Sequence, residues 1–581
     1  MTIQHAASVT DVAAQCFLNA LTRETRDWQI IPAGAEQQYA QLQISLLPSQ
    51  TLCIDLRFYS LTQHHHYLFP ARLHIDGEEE SRRLSPEQLV DLLLAKPSIK
   101  DRVDEHQLAR FRQRVLESHS HTHQAIASRT DWPGLRDKPL NFIDAEQALL
   151  VGHAFHPAPK SHQPLTPQQA RRYLPEFAAG FPLRWFAVDK RYLVGDSLGL
   201  TLQQRLHRFA AENAPQLLAY FLDDIWLLPM HPWQAERLLT QPWCQQLVTQ
   251  QRLRDLGEAG QRWSATSSCR SLYCASSRDM VKFSLSVQLT NSLRTLSLKE
   301  LQRGMRLARL AHTERWQQLQ ARFPTLQVMQ EDGWAGLCDA EGHLQPESLL
   351  ALRVNLLFGQ PHSQTNVLAS LTQAAPDGGD SLLAAAVHRL SARLEISLPQ
   401  AAYCWLDAWC QQVLMPLFSC EADYGLLLLA HQQNILVVMQ QDLPVGMMFR
   451  DCQGSGFTAA AGSWLAQIDE ASAENSFSEQ QRLRYFPYYL IVNSALAVTA
   501  ALAAARFAEE SQLIARVRDI LSQLRATVSD PLCLDYVLDS AEWRCKGNFF
   551  CSLRGHNENT LIDPAEIYFS LTNPLPGEVS L

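Results

Sequence analysis

The sequence predicts an α+β protein. Three observations predict it. Residues 280–290 alternate cleanly, with Val281, Phe283, Leu285, Val287 and Leu289 on one side and Lys282, Ser284, Ser286, Gln288 and Thr290 on the other, as in a half-buried strand. Helical stretches fill residues 381–418 and 478–526. Between them, residues 435–439 and 445–449 are two short apolar runs around a polar turn at 440–444, the signal of a hairpin.

The first element in order is a helix over 11–25, with Val12, Cys16, Leu18 and Leu21 apolar. A strand follows, in which Leu52, Ile54, Leu56 and Phe58 alternate with Cys53, Asp55 and Arg57. His64, His65 and His66 read as a solvated turn, because three adjacent imidazoles do not easily face one metal. His119, His121 and His123 read as surface residues at the end of a helix. From Glu146 to Lys160 a helix runs into Gly152, and Pro157 and Pro159 stiffen a loop that presents His153, His156 and Lys160. Residues 196–220 read as a helix and 225–230 as a buried strand, which delivers His231-Pro232-Trp233, with Pro232 in the first turn of the next helix.

Thr266-Ser267-Ser268-Cys269-Arg270-Ser271 is a hydroxyl-rich loop with one guanidinium, able to donate to phosphate oxygens. The alternating strand then carries Lys282 and leads to a turn with Thr290 and Arg294. Cations at Arg270, Lys282 and Arg294, if the strand borders a cleft, converge on a polyanion such as ATP or citrate. One long amphipathic helix is expected over 299–323, a strand over 326–330 ending at Glu331, and another around Arg353 and Asn355. Residues 374–380 are the clearest loop signal in the chain. The C-terminal part returns to aromatic segments at 543–553, with Lys546, and at 567–571.

Composition sets the frame. At 581 residues the chain is long enough for several domains, and 46% hydrophobic with 19% charged residues is ordinary for a globular protein. A net charge of -9 argues against a nucleic-acid binder. Thirteen scattered cysteines without a C-x-x-C suit reduced thiols in a cytoplasm. The N-terminus, with His5, Asp11 and Gln15, shows no leader pattern. The longest apolar run, 495–505, is too short to span a bilayer and reads as a core helix, so no membrane is expected. P-loop, dinucleotide and H-E-x-x-H motifs are absent.

Residues 424–454 organise the rest. An apolar segment ends at His431; Gln432, Gln433 and Asn434 form a polar loop; the hairpin follows and closes at Arg450-Asp451. A helix, a polar loop with His and Asn, a hairpin and then an Asp is also the layout of a protein kinase core, where an Asn and an Asp hold magnesium on the ATP phosphates. Asn434 and Asp451 are the equivalent oxygen donors. Gln433 stands where a kinase has its catalytic base.

Taken together, GHAFHPAPK at 152–160, LPMHPWQ at 228–234, TSSCRS at 266–271, KFSLSVQLTNSLRTLS at 282–297, AHQQN at 430–434 and RDCQG at 450–454 resemble the IucA/IucC family of siderophore synthetases that work without a nonribosomal peptide synthetase. The N-terminal DVAAQCFLNALTRETRDWQ and the C-terminal KGNFFCSL and HNENT extend the likeness over nearly the whole chain, most closely to the family's aerobactin branch. The resemblance implies a cupped hand of thumb, fingers and palm, set here at 1–145, 146–355 and 356–581, with a distantly kinase-like palm. It implies a ligase that uses ATP and Mg2+ to make citryl-adenylate and pyrophosphate, and then condenses the citryl group with the amine of N6-acetyl-N6-hydroxylysine. It also implies a cytoplasmic homo-oligomer.

By the same resemblance, Ser268, Arg270, Ser271 and Lys282 contact the nucleotide phosphates, and His153, His156 and Lys160 flank the nucleotide. Arg294 bridges phosphate and citrate, Thr290 lies beside citrate, and His431 and Gln433 face the reacting carboxylate. Asn434 and Asp451 hold magnesium. His431, at its natural pKa, is expected as the general base toward the incoming amine. Two positions depart from the family pattern. Leu429 stands where many relatives carry an acid, which calls one metal ligand into question, and Ser271 stands where Thr is frequent. Two other readings remain on the residues alone: a kinase-like small-molecule phosphotransferase and a non-catalytic nucleotide-binding sensor. The three differ in product: AMP with pyrophosphate, ADP, or neither.

Overall fold

The computed structural model describes residues 9–34, 38–468, 474–556, 561 and 563–575; His5 and residues 557–560 of the HNENT stretch lie outside them. The fold is mixed α/β, with mainly antiparallel sheets. Near the N-terminus, Asp11 caps the helix Val12–Glu24 by accepting from the amides of Ala13 and Ala14 at 3.1 and 2.9 Å. That helix packs on a five-stranded meander running from Trp28–Ile31 to Arg82–Arg83. Phe17, Leu52, Ile54 and Phe111 fill this core, and Phe549 and Leu553 join it from the far end of the chain.

The histidine turn is not solvated. His65 is buried, stacked on Tyr59, and accepts from the Ser60 amide at 3.2 Å, while His64 packs edge-on against Phe155. Burial pulls His65 down to about 3 and His66 to about 4. A polar run in sequence thus becomes a wall between two parts of the molecule.

An eight-stranded antiparallel sheet occupies the middle of the chain, in the order Leu193–Ser197, Glu331–Leu337, Leu350–Val354, Asp279–Phe283, Ser271–Tyr273, Leu253–Ala265, Gly180–Asp189, Ile225–Met230. The 280–290 strand is neither continuous nor half-buried. Asp279–Phe283 belongs to the large sheet, and Leu285–Leu289 to a small one with Ser292–Arg294 and His162–Gln163. Ser284 makes the change of sheet possible. Its hydroxyl donates to the Pro346 carbonyl at 2.6 Å and accepts the Leu296 amide at 2.8 Å, serving backbone groups that no ladder pairs. Lys282 and Ser286, on the nominally polar side, are buried.

Three boundaries move for local reasons. Asp196 and Ser197 end a strand paired with Glu331–Leu337, and the helix starts only at Leu202, after a Thr201–Gln204 capping box. The helix expected over 299–323 is two, Leu298–Leu310 and Glu314–Arg322, because Thr313 caps the second. Glu331 opens a strand instead of closing one.

The C-terminal part joins a four-stranded sheet, which includes the hairpin strands Ile435–Gln440 and Leu443–Phe449, to a large helical core. The helical stretch Glu479–Ala504 is long and apolar enough to cross a membrane by length and composition, longer than the 495–505 run suggested, and 89% of its apolar window is buried inside the protein. Pro487 lies within it, and the next residues, Tyr488–Ala495, are wound as a π-helix. Proline removes one ladder donor, and a wider turn accommodates the loss. The π segment brings Tyr488, Tyr489 and Asn493 toward the hairpin loop.

Candidate active site

The residues given a nucleotide, citrate or metal role from the sequence all line one cavity of about 380 Å³. The 266–271 loop is the tight turn between two strands of the large sheet. Cys269 takes a left-handed conformation (φ 64°), and Ser268 Oγ accepts the Ser271 amide at 3.2 Å. Arg270 reaches across to the Arg294 carbonyl at 3.1 Å. Thr290, also left-handed at φ 54°, turns the small sheet so that Arg294 comes back beside it, donating to Thr290 Oγ1 at 3.1 Å. Burial, and then the Arg270 charge, pull the Arg294 guanidinium down to about 10, so it is a cation short of counter-charge.

Lys282 Nζ sits between Glu331 Oε1 at 3.2 Å and Asp451 Oδ1 at 2.7 Å, and Arg353 meets the same Glu331 oxygen at 2.6 Å. Although Asp451 is deeply set, the neighbouring Lys282 ammonium holds its carboxyl far below the usual carboxylate range. Asp451 is left-handed at φ 76° and lies 3.5 Å from the Asn434 side-chain amide. A non-glycine residue at such a φ stores strain, a feature that clusters at functional sites.

Neutral imidazoles line the same cavity. His153, His156 and His431 each accept the backbone amide two residues on, at 3.1, 3.0 and 3.2 Å, through Nδ1. Burial lowers them to about 3, about 3 and about 4, respectively. In a neutral ring whose Nδ1 accepts, Nε2 carries the proton. His431 is therefore not at its natural pKa, and it offers the cavity a donor. His156 uses its Nε2–H on Asn291 Oδ1 at 3.1 Å. Lys160 lines the cavity with its ammonium turned to the Leu149 carbonyl at 2.7 Å and to Glu176 at 3.5 Å.

Sequence reasoning passed over the clamp that fixes these loops. Arg450 and Glu146 form a buried ion pair at 2.7 Å across 304 residues. Glu146 also accepts the Ser267 amide at 2.8 Å, and Arg450 donates to the Gln433 carbonyl at 2.7 Å. Gln433 Nε2 in turn donates to the Ser267 carbonyl at 3.1 Å. Arg353 had a usable signal, a charge inside the apolar strand Leu350–Val354; the Glu146–Arg450 pair had none. The three histidines at 119–123 do not all point to solvent either. His119 and His123 share a helix face and meet Asp11 at 2.7 and 3.4 Å.

Converging cations, neutral imidazoles and an ionised aspartate with an amide beside it define a polyanion-binding site of the kind used in ATP-dependent enzymes. The family model described as "IucA / IucC family" matches residues 141–373, and one described as "Ferric iron reductase FhuF-like transporter" matches residues 404–561. The chain is 58% identical to N(2)-citryl-N(6)-acetyl-N(6)-hydroxylysine synthase of Escherichia coli, covering 98% of both chains, and 40% identical to the Vibrio mimicus synthase of the same name, covering 98% of this chain and 96% of that one. The ATP-bound structure of aerobactin synthetase IucA from a hypervirulent pathotype of Klebsiella pneumoniae superposes with a TM-score of 0.93 at 60% identity, covering 97% of this chain and 99% of that one. The chain belongs to the IucA/IucC family.

Proposed function

We propose that this chain is the ATP-dependent ligase that joins citrate to the amine of N6-acetyl-N6-hydroxylysine, the first step of aerobactin assembly. A citrate carboxylate oxygen attacks the α-phosphorus of ATP, the bond to the bridging oxygen breaks, and pyrophosphate leaves. The amine nitrogen then attacks the citryl carbonyl, AMP departs with the C–O electron pair, and the nitrogen loses a proton. Adenylation converts a poor acyl donor into a good one. The observation that carries this reading is the convergence of Arg270, Lys282 and Arg294 on one cavity with His431, in a chain that follows a citrylating synthase nearly end to end.

Each residue has a role that its surroundings support. Ser268, Arg270, Ser271 and Lys282 bind the phosphates, and His153, His156 and Lys160 border the nucleotide. Arg294, buried and lacking counter-charge, bridges phosphate and citrate. Thr290 and Gln433 position the citrate. His431 donates from Nε2 to the reacting carboxylate and then to the oxyanion at that carbon, in place of the general-base role. The Asp451 carboxylate, with the Asn434 amide nitrogen 3.5 Å from it, fits magnesium once that amide is turned over to present its oxygen. Asp451 and Asn434 would hold the ion, which offsets phosphate charge. Lys282 between Glu331 and Asp451 parallels the kinase lysine, with its glutamate partner and metal-binding aspartate, and supports a kinase-like arrangement in which the fingers supply the lysine and glutamate and the palm the aspartate. Thumb, fingers and palm are read at 1–145, 146–355 and 356–581; one hydrophobic core lies within the second range, and the other two draw residues from across these bounds. No disulfide joins the cysteines among the described residues, which suits a reducing cytoplasm.

The test is mass spectrometry of purified chain with ATP, Mg2+, citrate and a panel of amines. A citryl amide of N6-acetyl-N6-hydroxylysine, with AMP and pyrophosphate, is expected. ADP with phosphocitrate would move the protein to the phosphotransferases, and a diamine product would overturn the amine assignment.

A further inference from the structure

A second chamber of about 70 Å³ adjoins the main cavity, and the two share a wall of Gly152, Ala369 and Gln432. One side is a stripe of alanine. Ala497, Ala500, Ala501 and Ala504 recur at helical spacing on Leu496–Ala504 and present one small apolar face. Facing into the chamber from the helix Val12–Glu24 are Gln15 and Asn19, one turn apart and 5% and 2% exposed. Gln15 Oε1 and Asn19 Oδ1 are both buried, and neither accepts a hydrogen bond. Asn19 cannot simply be turned over, because its Nδ2 donates to the His65 carbonyl at 3.1 Å. Buried carbonyl acceptors are normally satisfied, and two together beside a cavity point to a donor that arrives with a ligand.

We propose that this chamber is the subsite for the far end of the amine substrate and takes its neutral N-acyl-N-hydroxy head. The proposal rests on the ligase reading above. The alanine stripe packs the acyl methyl, and the single N–OH proton is shared between Gln15 Oε1 and Asn19 Oδ1 as a bifurcated hydrogen bond. Size and charge agree. About 70 Å³ admits a head group of a few heavy atoms and not a second nucleotide. Arg57 lines the chamber, and burial keeps His64 and His66 neutral, so an ammonium would lose hydration beside a cation, whereas a neutral hydroxyl would not. Asp380 stays exposed at the mouth, on the 374–380 loop. Gly152, Ala369 and Gln432 border both spaces, so an extended side chain held in the chamber directs its other end past them toward the main cavity, next to His431. Selectivity for a hydroxylated, acylated lysine then lies in the first helix of the chain, far in sequence from the nucleotide motifs.

Gln15→Met removes one acceptor at nearly constant volume, and Ala500→Leu fills the chamber. In both, the KM for N6-acetyl-N6-hydroxylysine is expected to rise by about tenfold or more, and the preference over plain lysine to fall with it. Citrate-dependent exchange of pyrophosphate into ATP needs no amine and is expected to stay within about twofold of the parent chain. Thermal melting confirms that each variant folds. An unchanged amine KM in both folded variants, or an equal loss in the exchange reaction, would overturn the subsite. A parent chain that shows no citrate-dependent exchange would overturn the ligase reading itself, and the subsite with it.

Discussion

Lys282 is shared between two carboxylates, and the charge of Asp451 depends on it. Asp451→Asn keeps an oxygen donor but gives up the charge that faces a dication. It is expected to lower turnover by about 10²-fold or more and to raise the magnesium requirement, read from initial rates across a magnesium titration. An unchanged magnesium dependence would leave Asp451 only its bond to Lys282. Arg294→Lys keeps the charge and loses the planar fork, with an expected turnover loss of about 10²-fold, or roughly 2.7 kcal/mol. His431, neutral down to about 4, predicts that the adenylation rate shows no ionisation near pH 6.5. A limb there that disappears in His431→Gln would restore the general base. His231 shows the cost of burying an imidazole without partners. Both ring nitrogens are unpaired among Tyr173, Phe181 and Phe283, and burial lowers it to about 3. Below pH 6.5 the unfolded chain binds a proton that the folded chain refuses, so stability falls with falling pH through the window from about 6.5 to about 3, by up to roughly 1.4 kcal/mol per pH unit. His231→Phe is expected to flatten the dependence of the urea midpoint on pH in that window.

At the scale of the element, the change of sheet at Ser284 sets the position of Thr290 and Arg294. Ser284→Ala strands the Leu296 amide, leaves the Pro346 carbonyl only its bond from the Leu349 amide at 3.2 Å, and is expected to cost about 1–3 kcal/mol in urea unfolding. It should also raise the KM for citrate while leaving that for ATP nearly unchanged. A variant with both KM values intact would show that the break is only structural. That break could not be read from the sequence. Alternation reports which way side chains point, and it continues without a fault from Val281 to Leu289 while the backbone leaves one sheet for another. The hairpin, Pro232 at the start of its helix and the Ser268–Ser271 turn were legible because each is governed by residues within a few positions. Long-range polar pairs were not. Glu146 finds Arg450 and Glu331 finds Lys282 only once the chain has folded, and the same holds for His65, which reads as polar and is used as core. The loop histidines were found as residues, but their proton positions were not, since those depend on backbone amides that the sequence does not orient.

In the whole molecule, the part that begins the chain is completed by the part that nearly ends it. Phe549 is fully buried between Phe17 and Phe111, and Glu24 accepts the amides of Asn548, Phe549 and Phe550. Phe549→Ala is expected to destabilise the N-terminal core by about 3–5 kcal/mol. Because Lys546, Asn548 and Cys551 line the active cavity, the same change should weaken ATP binding, which calorimetry would detect; full ATP affinity in a visibly destabilised variant would mean that the two are uncoupled. Manufacture of the chain is constrained as well. Glu24 and Phe549 are 525 residues apart, so a ribosome working at about 5–20 residues per second leaves roughly 30–100 s between them. During that interval the first sheet is a nascent body with an open apolar socket, a client for whatever holds unfinished proteins until its closing piece emerges.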